Sequence, residues 1–393
     1  MWWIALWGCA PASRDDTGTS VDTDTTAIPC GRDLAGGGDA TAPTALRSVP
    51  RVICTVAGVP GVAGLSEQTL FLPVDVAIHP ETGELWIADL QNHRVVSVRP
   101  EGALIDVLGD GTPGFGVAGD VEGPAEDFAI GQPTALAFDP SAPDRVAVAS
   151  RSGDGVAILD RATGLATAWT VGSGGWTDPA GVAWDDAGGL LVSVQGRAFV
   201  DHLPATGPAT RAAGQPDAPG YAGDGGPAIE AQLSGLGVMA EPGNQLSWFD
   251  GAWWLADTWN QVVRRIDADG QIDTVAGVFL PAPAGGGLVG TGGDGGPATE
   301  ARLGLPTDVA VGPDGSVFVA DSFNHCIRRI APDGTIDTYA GRCGTAGAVE
   351  EMGDGGPATD ARFDTPTGVA VDRYGTVYVT DSHHHAVRAI RPD

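Results

Sequence analysis

One carboxylate recurs in one setting: the phrase Gly-Asp-Gly-Gly-Pro-Ala places Asp224, Asp294 and Asp354 in glycine-rich loops. An aspartate so exposed to its own backbone can ligate calcium or cap a turn. Calcium takes six to eight oxygens, and one carboxylate per loop supplies too few. The phrase therefore reads as a spacer. Gly295 and Gly296 permit positive φ, Pro297 sits at the first helical position, Asp294 accepts amide hydrogen bonds, and residues 298–303 make one or two helical turns.

A second recurring group is Asp-x-x-Asn-His and its variants, at residues 89–93, 257–261, 321–325 and 381–385. Asp and Asn at this spacing bond nearby backbone, which makes the group a scaffold turn. The last copy carries His383, His384 and His385, a set able to bind a transition metal weakly although adjacent side chains diverge. The middle of each turn is occupied by Gln91, Trp259, Phe323 and His383. Large aromatics there offer a stacking surface for a sugar ring or a partner's side chain; the alternative is that each covers its neighbouring loop.

These loops and turns need elements to hold them, and the chain supplies six similar units, beginning at Leu72, Gln132, Asp178, Leu236, Leu305 and Thr365. Within a unit, short alternating apolar runs such as Val309 and Val311, then Val317 and Val319, are separated by Asp-Gly turns. Each unit is predicted to be a four-stranded antiparallel meander. A meander cannot bury both faces alone, so the units stack radially into an all-β, six-bladed β-propeller. The sixth unit stops before its fourth strand, and residues 51–58 (RVICTVAG) match that strand, so the N-terminal strand is expected to complete the last blade and close the ring. In such a ring the GDGGPA connections and the Asp-x-x-Asn-His turns share one face.

Composition narrows the function. Sixty Gly and 29 Pro favour short strands and tight turns. A formal charge of −29, with 50 acidic residues against 21 basic ones that are all arginine, excludes nucleic acid as a partner. At the N-terminus, Leu6-Trp7-Gly8-Cys9 resembles a bacterial lipobox, which makes residues 1–9 a lipoprotein-like signal remnant with Cys9 lipidated. Residues 10–45 then form a polar tether, and 46–393 the propeller. Contact with a membrane is expected only through that lipid. Outside the cytoplasm Cys30, Cys54, Cys326 and Cys343 would form two disulfides of open pairing, and no Cys-x-x-Cys pair exists to hold zinc.

The sequence PTGVAVD from Pro366, the turn DSFNHCIRRI from Asp321 and the fourth-strand phrase TIDTYAG from Thr335 resemble the NHL-repeat family of β-propellers. The likeness is strong in units one, four, five and six and weaker in units two and three. Together with the lipobox-like leader and the turn residues, the preferred reading is a bacterial, extracytoplasmic, monomeric and non-catalytic binding module for a protein, peptide or glycan, using Trp259, Phe323, His383 and Gln91; the alternative is a calcium-dependent gluconolactonase-like hydrolase or a metal-dependent lyase using the central channel. Related six-bladed propellers include gluconolactonase-like hydrolases, which hold calcium in the central channel, and peptide-amidating lyases, which use a metal with histidine. At the matching inner-strand position this chain offers Asp75, Ala135, Gly181, Gly237, Asp308 and Gly368. Two carboxylates among six do not build that site, so the expected cofactor is none. Calcium is left open, with Asp75 and Asp308 as its candidate ligands, while His383 and His385 are the candidates for a transition metal.

Overall fold

The computed structural model describes residues 51–64, 68–99, 103–115, 122–169, 175–235, 242–280 and 290–392. The lipobox with Cys9, the tether, Cys30, residues 46–50 and the expected start of unit four, Leu236 with Gly237, lie outside the described residues.

Six antiparallel sheets form the blades of a propeller. Their inner strands are Pro73–Ile78, Pro133–Asp139, Pro179–Trp184, Leu246–Phe249, Pro306–Val311 and Pro366–Val371. Numbered in that order, each blade adds its next strands outward as a meander. The exception is blade 6, whose outermost strand is Ile53–Ala57, paired antiparallel with Ala386–Ile390 in the register Ile53 to Ile390. Alternating side chains then fill six apolar clusters, one between each pair of neighbouring blades. The closing strand serves two of them: Ile53 packs toward blade 5, Val56 and Ala57 toward blade 1.

Three blades depart from the expected four strands, carrying a fifth, two- or three-residue strand on the outer edge. In blades 4 and 5 this is the Gly-Pro of the GDGGPA phrase: Gly226–Pro227 pairs with Gln271–Ala276, and Gly296–Pro297 with Thr335–Ala340. In blade 6 the same phrase bridges the closing strand through Val52 and Pro357. Each copy thus covers the outer edge of the blade it enters, where unpaired amides would otherwise invite another chain.

The phrase differs from its predicted form in two respects. Pro297 precedes the helical residues, with φ −60° and ψ 133°, because it is taken into the edge strand, and only Ala298–Glu300 form a 3-10 turn. Of the glycines, Gly293 and Gly295 have positive φ and Gly296 does not. At Gly293 the conformation is also forced sterically, since a Cβ there would lie 2.6 Å from the Ala301 Cα.

Candidate functional site

The repeated aspartates are explained by a residue that sequence reading passed over. Arg264, Arg328 and Arg388, third in their strands, are fully buried. Each guanidinium reaches the carboxylate of a GDGGPA loop: Arg264 to Asp224 and Arg388 to Asp354 at 2.6 Å, and Arg328 to Asp294. The same guanidinium also meets the aspartate that opens its blade's turn, Asp257, Asp321 or Asp381, at 3.3–3.4 Å. Asp294 therefore bonds Arg328 and the Thr338 hydroxyl where amide donors were expected. Blade 1 reaches the same end differently, Arg94 bonding Asp89 from the first position of its strand.

The turn aspartates do more than hold arginine. Asp89, Asp257, Asp321 and Asp381 each accept a backbone N–H from the loop entering their own blade. Asn92, Asn260 and Asn324 donate both to that aspartate and to a loop carbonyl. In blade 6 His384 replaces the asparagine, its Nδ1 2.8 Å from Asp381 and its Nε2 3.0 Å from the Gly347 carbonyl. To donate at both ends the ring must carry two protons. Burial opposes that charge, but the hydrogen bond and charge of Asp381 prevail and raise its pKa.

The other histidines of these turns are staples between blades. Nδ1 of His93 accepts the Gln132 N–H at 3.0 Å, that of His325 the Thr365 N–H at 3.1 Å, and that of His385 the Leu72 N–H at 3.3 Å. The three donors all have left-handed backbone immediately before the next inner strand, with φ 52–58°. In blade 2, where the turn departs from the motif, Asp154 accepts the equivalent N–H of Asp178. His385, one of the metal candidates, is thus committed to structure, and His383 lies 3.6 Å from Asp364. The hydrogen bond and charge of His383, with the charge of His325, hold the Asp364 carboxyl below its usual range.

Burial lowers the pKa of His93, His325 and His385. Below an unfolded-state value near 6.5 the unfolded chain binds the extra protons first, so these staples contribute fully above that pH and fade as pH falls. His384 acts in the opposite sense. His325→Ala is expected to cost about 1 kcal/mol at pH 7, less at pH 5, as a hydrogen bond already weakened by protonation is removed. Urea unfolding at the two pH values measures this; an equal loss at both would refute the staple's titration.

Of the proposed contact residues, all four occupy the middle of a 3-10 turn on the face carrying the GDGGPA loops. Phe323 is 39 % exposed and the His383 side chain 40 %, while Trp259 and Gln91 are half-buried. They belong to blades 4, 5, 6 and 1, which are consecutive around the ring.

Asp75 and Asp308 lie elsewhere, in the central channel and 6 % and 5 % exposed. Asp75 accepts the N–H of Val76 and, from the neighbouring blade, of Leu136 at 2.7 Å. Asp308 does the same with Val309 and with Val369 of blade 6 at 2.7 Å. In blade 4 the matching residue is Gln245 in place of the expected Gly237, because Pro242-Gly243, not the run before it, leads into the strand. Its amide donates across the channel to the Thr134 carbonyl at 2.9 Å. Gly181 and Gly368 fit between these side chains, since a Cβ on either would lie 2.8 Å from neighbouring backbone. The channel is further stitched where the inner strands begin, as Thr134, Thr307 and Thr367 donate to carbonyls of the next blade.

This leaves a funnel of about 370 Å³, lined by all six inner strands, from Asp75, Gln245 and Asp308 to the Pro140 and Asp186 turns. It opens on the face opposite the GDGGPA loops. As a calcium site the floor does not fit: with one amide already on each carboxylate oxygen, two carboxylates and one glutamine fall far short of the six to eight oxygens calcium takes, although each oxygen keeps a second lone pair. Asp75 and Asp308 are not joined by His383 or His385, and among the described residues no group of three or more His, Cys, Asp or Glu is placed to hold a metal ion.

The NHL repeat model matches residues 303–330 and 363–390, in blades 5 and 6. Teneurin-m of Drosophila melanogaster is 29 % identical over 182 residues, 44 % of this chain and 6 % of the teneurin. The chain thus matches a small fraction of that relative's length. Two auxiliary nutrient binding proteins have a similar fold. That of Bacteroides thetaiotaomicron has a TM-score of 0.60 at 16 % identity, with 86 % of this chain and 76 % of that one covered. That of Bacteroides ovatus has 0.57 at 17 %, with 88 % and 77 % covered. With two blades matched by the repeat model and all six built as antiparallel sheets around a closed ring, the chain is a six-bladed β-propeller that carries NHL repeats in blades 5 and 6.

Proposed function

We propose that the chain is a non-catalytic binding module held outside the cytoplasm, taking a protein, peptide or glycan on the face of the GDGGPA loops. The observation that carries this is the arc of Trp259, Phe323, His383 and Gln91, one residue per blade at the same turn position on four consecutive blades. Beneath them the clamps and staples fix each turn, so that side chains at its tip are presented without further ordering cost. A disulfide between Cys326 and Cys343 supports an oxidising compartment, and Cys54 is also disulfide-bonded. The nutrient-binding description of the two Bacteroides proteins of similar fold accords with this use.

Arrays of glycans and of secreted peptides probed with the full chain test the reading. Trp259→Ala with Phe323→Ala is expected to weaken binding by about tenfold or more while the melting curve stays unchanged. Ligands bound equally well by the double variant would move the site off this face.

A further inference from the structure

Eight aspartates are buried among the described residues, and six of them face a basic side chain. Asp75 and Asp308, both at the floor of the funnel, have none. Buried carboxylates are normally paired, because an uncompensated charge in a poorly solvated site costs several kcal/mol. Backbone amides satisfy their oxygens but bring no countercharge. No Arg or His lines the funnel, and its other charged lining residue, Asp186 at the mouth, is acidic.

The wall above this floor is divided. Phe138, Trp184 and Trp248 of blades 2, 3 and 4 make an aromatic half; Ile78, Val311 and Val371 of blades 1, 5 and 6 make an aliphatic half. Trp248 packs against Trp253 at 4.3 Å between ring centroids, and its Nε1 is buried without a hydrogen-bond partner. A concave volume of this size, with apolar side chains in its wall and a few convergent polar groups, is proportioned for a small molecule.

We propose that the funnel binds a small organic cation, an ammonium or guanidinium group on a short carbon stem, with Asp75 and Asp308 receiving the charge and the aromatic half packing the stem. The ligand supplies the countercharge that the fold withholds. Aromatic faces favour a cation beside them, and charge-assisted hydrogen bonds to a desolvated carboxylate are among the stronger polar contacts. This site lies on the opposite face from the Trp259 arc and is independent of it.

The carboxyls also set a pH signature. Burial pushes Asp75 up to about 6, and burial with the Asp75 charge pushes Asp308 well above the usual carboxylate range. Ionisation of the floor therefore increases with pH through the neutral range, and Asp186 adds negative charge at the mouth. Cation affinity should rise in the same direction.

The test is titration of the full chain with n-butylammonium and with agmatine, using 1-butanol as the neutral isostere of the first, followed by calorimetry and tryptophan fluorescence. Both cations are expected to bind, with the alcohol weaker by about tenfold or more and cation affinity falling from pH 7.5 to pH 5. Asp308→Asn should weaken the cations about tenfold or more. Because that change also disturbs an interblade hydrogen bond, Ser247→Trp serves as a second variant, filling the wall without touching the floor, and should abolish binding. Equal affinity for alcohol and cation, or wild-type binding by both variants, would overturn the proposal, as would calcium chloride saturating the site while the cations fail to compete. Retention of cation binding by the Trp259→Ala, Phe323→Ala variant is expected, so failure at either face is read separately.

Discussion

Arg388→Ala is expected to destabilise the protein by about 3–5 kcal/mol, a large share of the 5–15 kcal/mol that holds a typical domain together. Its guanidinium donates to the carbonyls of Arg362 and Met352 at 2.8 Å while meeting both Asp354 and Asp381. Alanine would remove one of the partners of the fully buried Asp381, leaving it the Asp364 N–H and His384, and would leave the two loop carbonyls without their donor. The loss is thus that of breaking a buried network, since among the described residues Asp381 keeps only His384 as a countercharge and Asp354 keeps none. Arg329 provides the control: its side chain is 34 % exposed and its partner Asp314 57 %, so Arg329→Ala should cost about 1 kcal/mol or less. Guanidinium chloride unfolding followed by tryptophan fluorescence compares the two. Similar small losses for both would mean that the buried clamp is not what fixes the GDGGPA loop.

Removing residues 46–58 is expected to abolish cooperative folding of the ring. The described part of that segment supplies the outer strand of blade 6, with Ile53, Cys54, Val56 and Ala57 buried. Burial of Ile53 and Val56 alone contributes about 3–6 kcal/mol, to which the lost ladder against Ala386–Ile390 must be added. Because these side chains enter the clusters toward both blade 5 and blade 1, the damage reaches three blades. The shortened chain should show a broadened transition by calorimetry and a raised tendency to associate through the exposed edge. A single sharp transition at the wild-type temperature would show that the ring closes without this strand.

Much of the architecture was legible because it is periodic. Alternating valines, Asp-Gly turns and the stray RVICTVAG strand suffice to deduce six blades and their closure. The fifth strands were not, since a Gly-Pro pair carries no strand periodicity and joins the sheet only by lying along an edge. Gly237 was expected where Gln245 stands for a related reason: of two stretches resembling a strand entry, the structure uses the later. The arginine clamp was visible as a recurring residue, but its partners come from loops 34 to 40 residues away, and no local pattern names them. The candidate site was half legible. The turn tips could be placed on one face from strand direction alone. The funnel could not, because its depth depends on where the channel is stitched shut, and the threonines and carboxylates that stitch it look like ordinary inner-strand residues.

The closure also dictates when this protein can be finished. Ile53 must wait for Ile390, so contacts near the start of the propeller are completed only after all six blades have been made. At the usual pace of about 5–20 residues per second, the first strand would spend on the order of 20 s to a minute without its neighbour during synthesis. Blades 1 to 5 are meanwhile local meanders, able to form in order of emergence. Ring completion is then a single late event of high contact order, and it, not the making of any blade, should limit the folding rate.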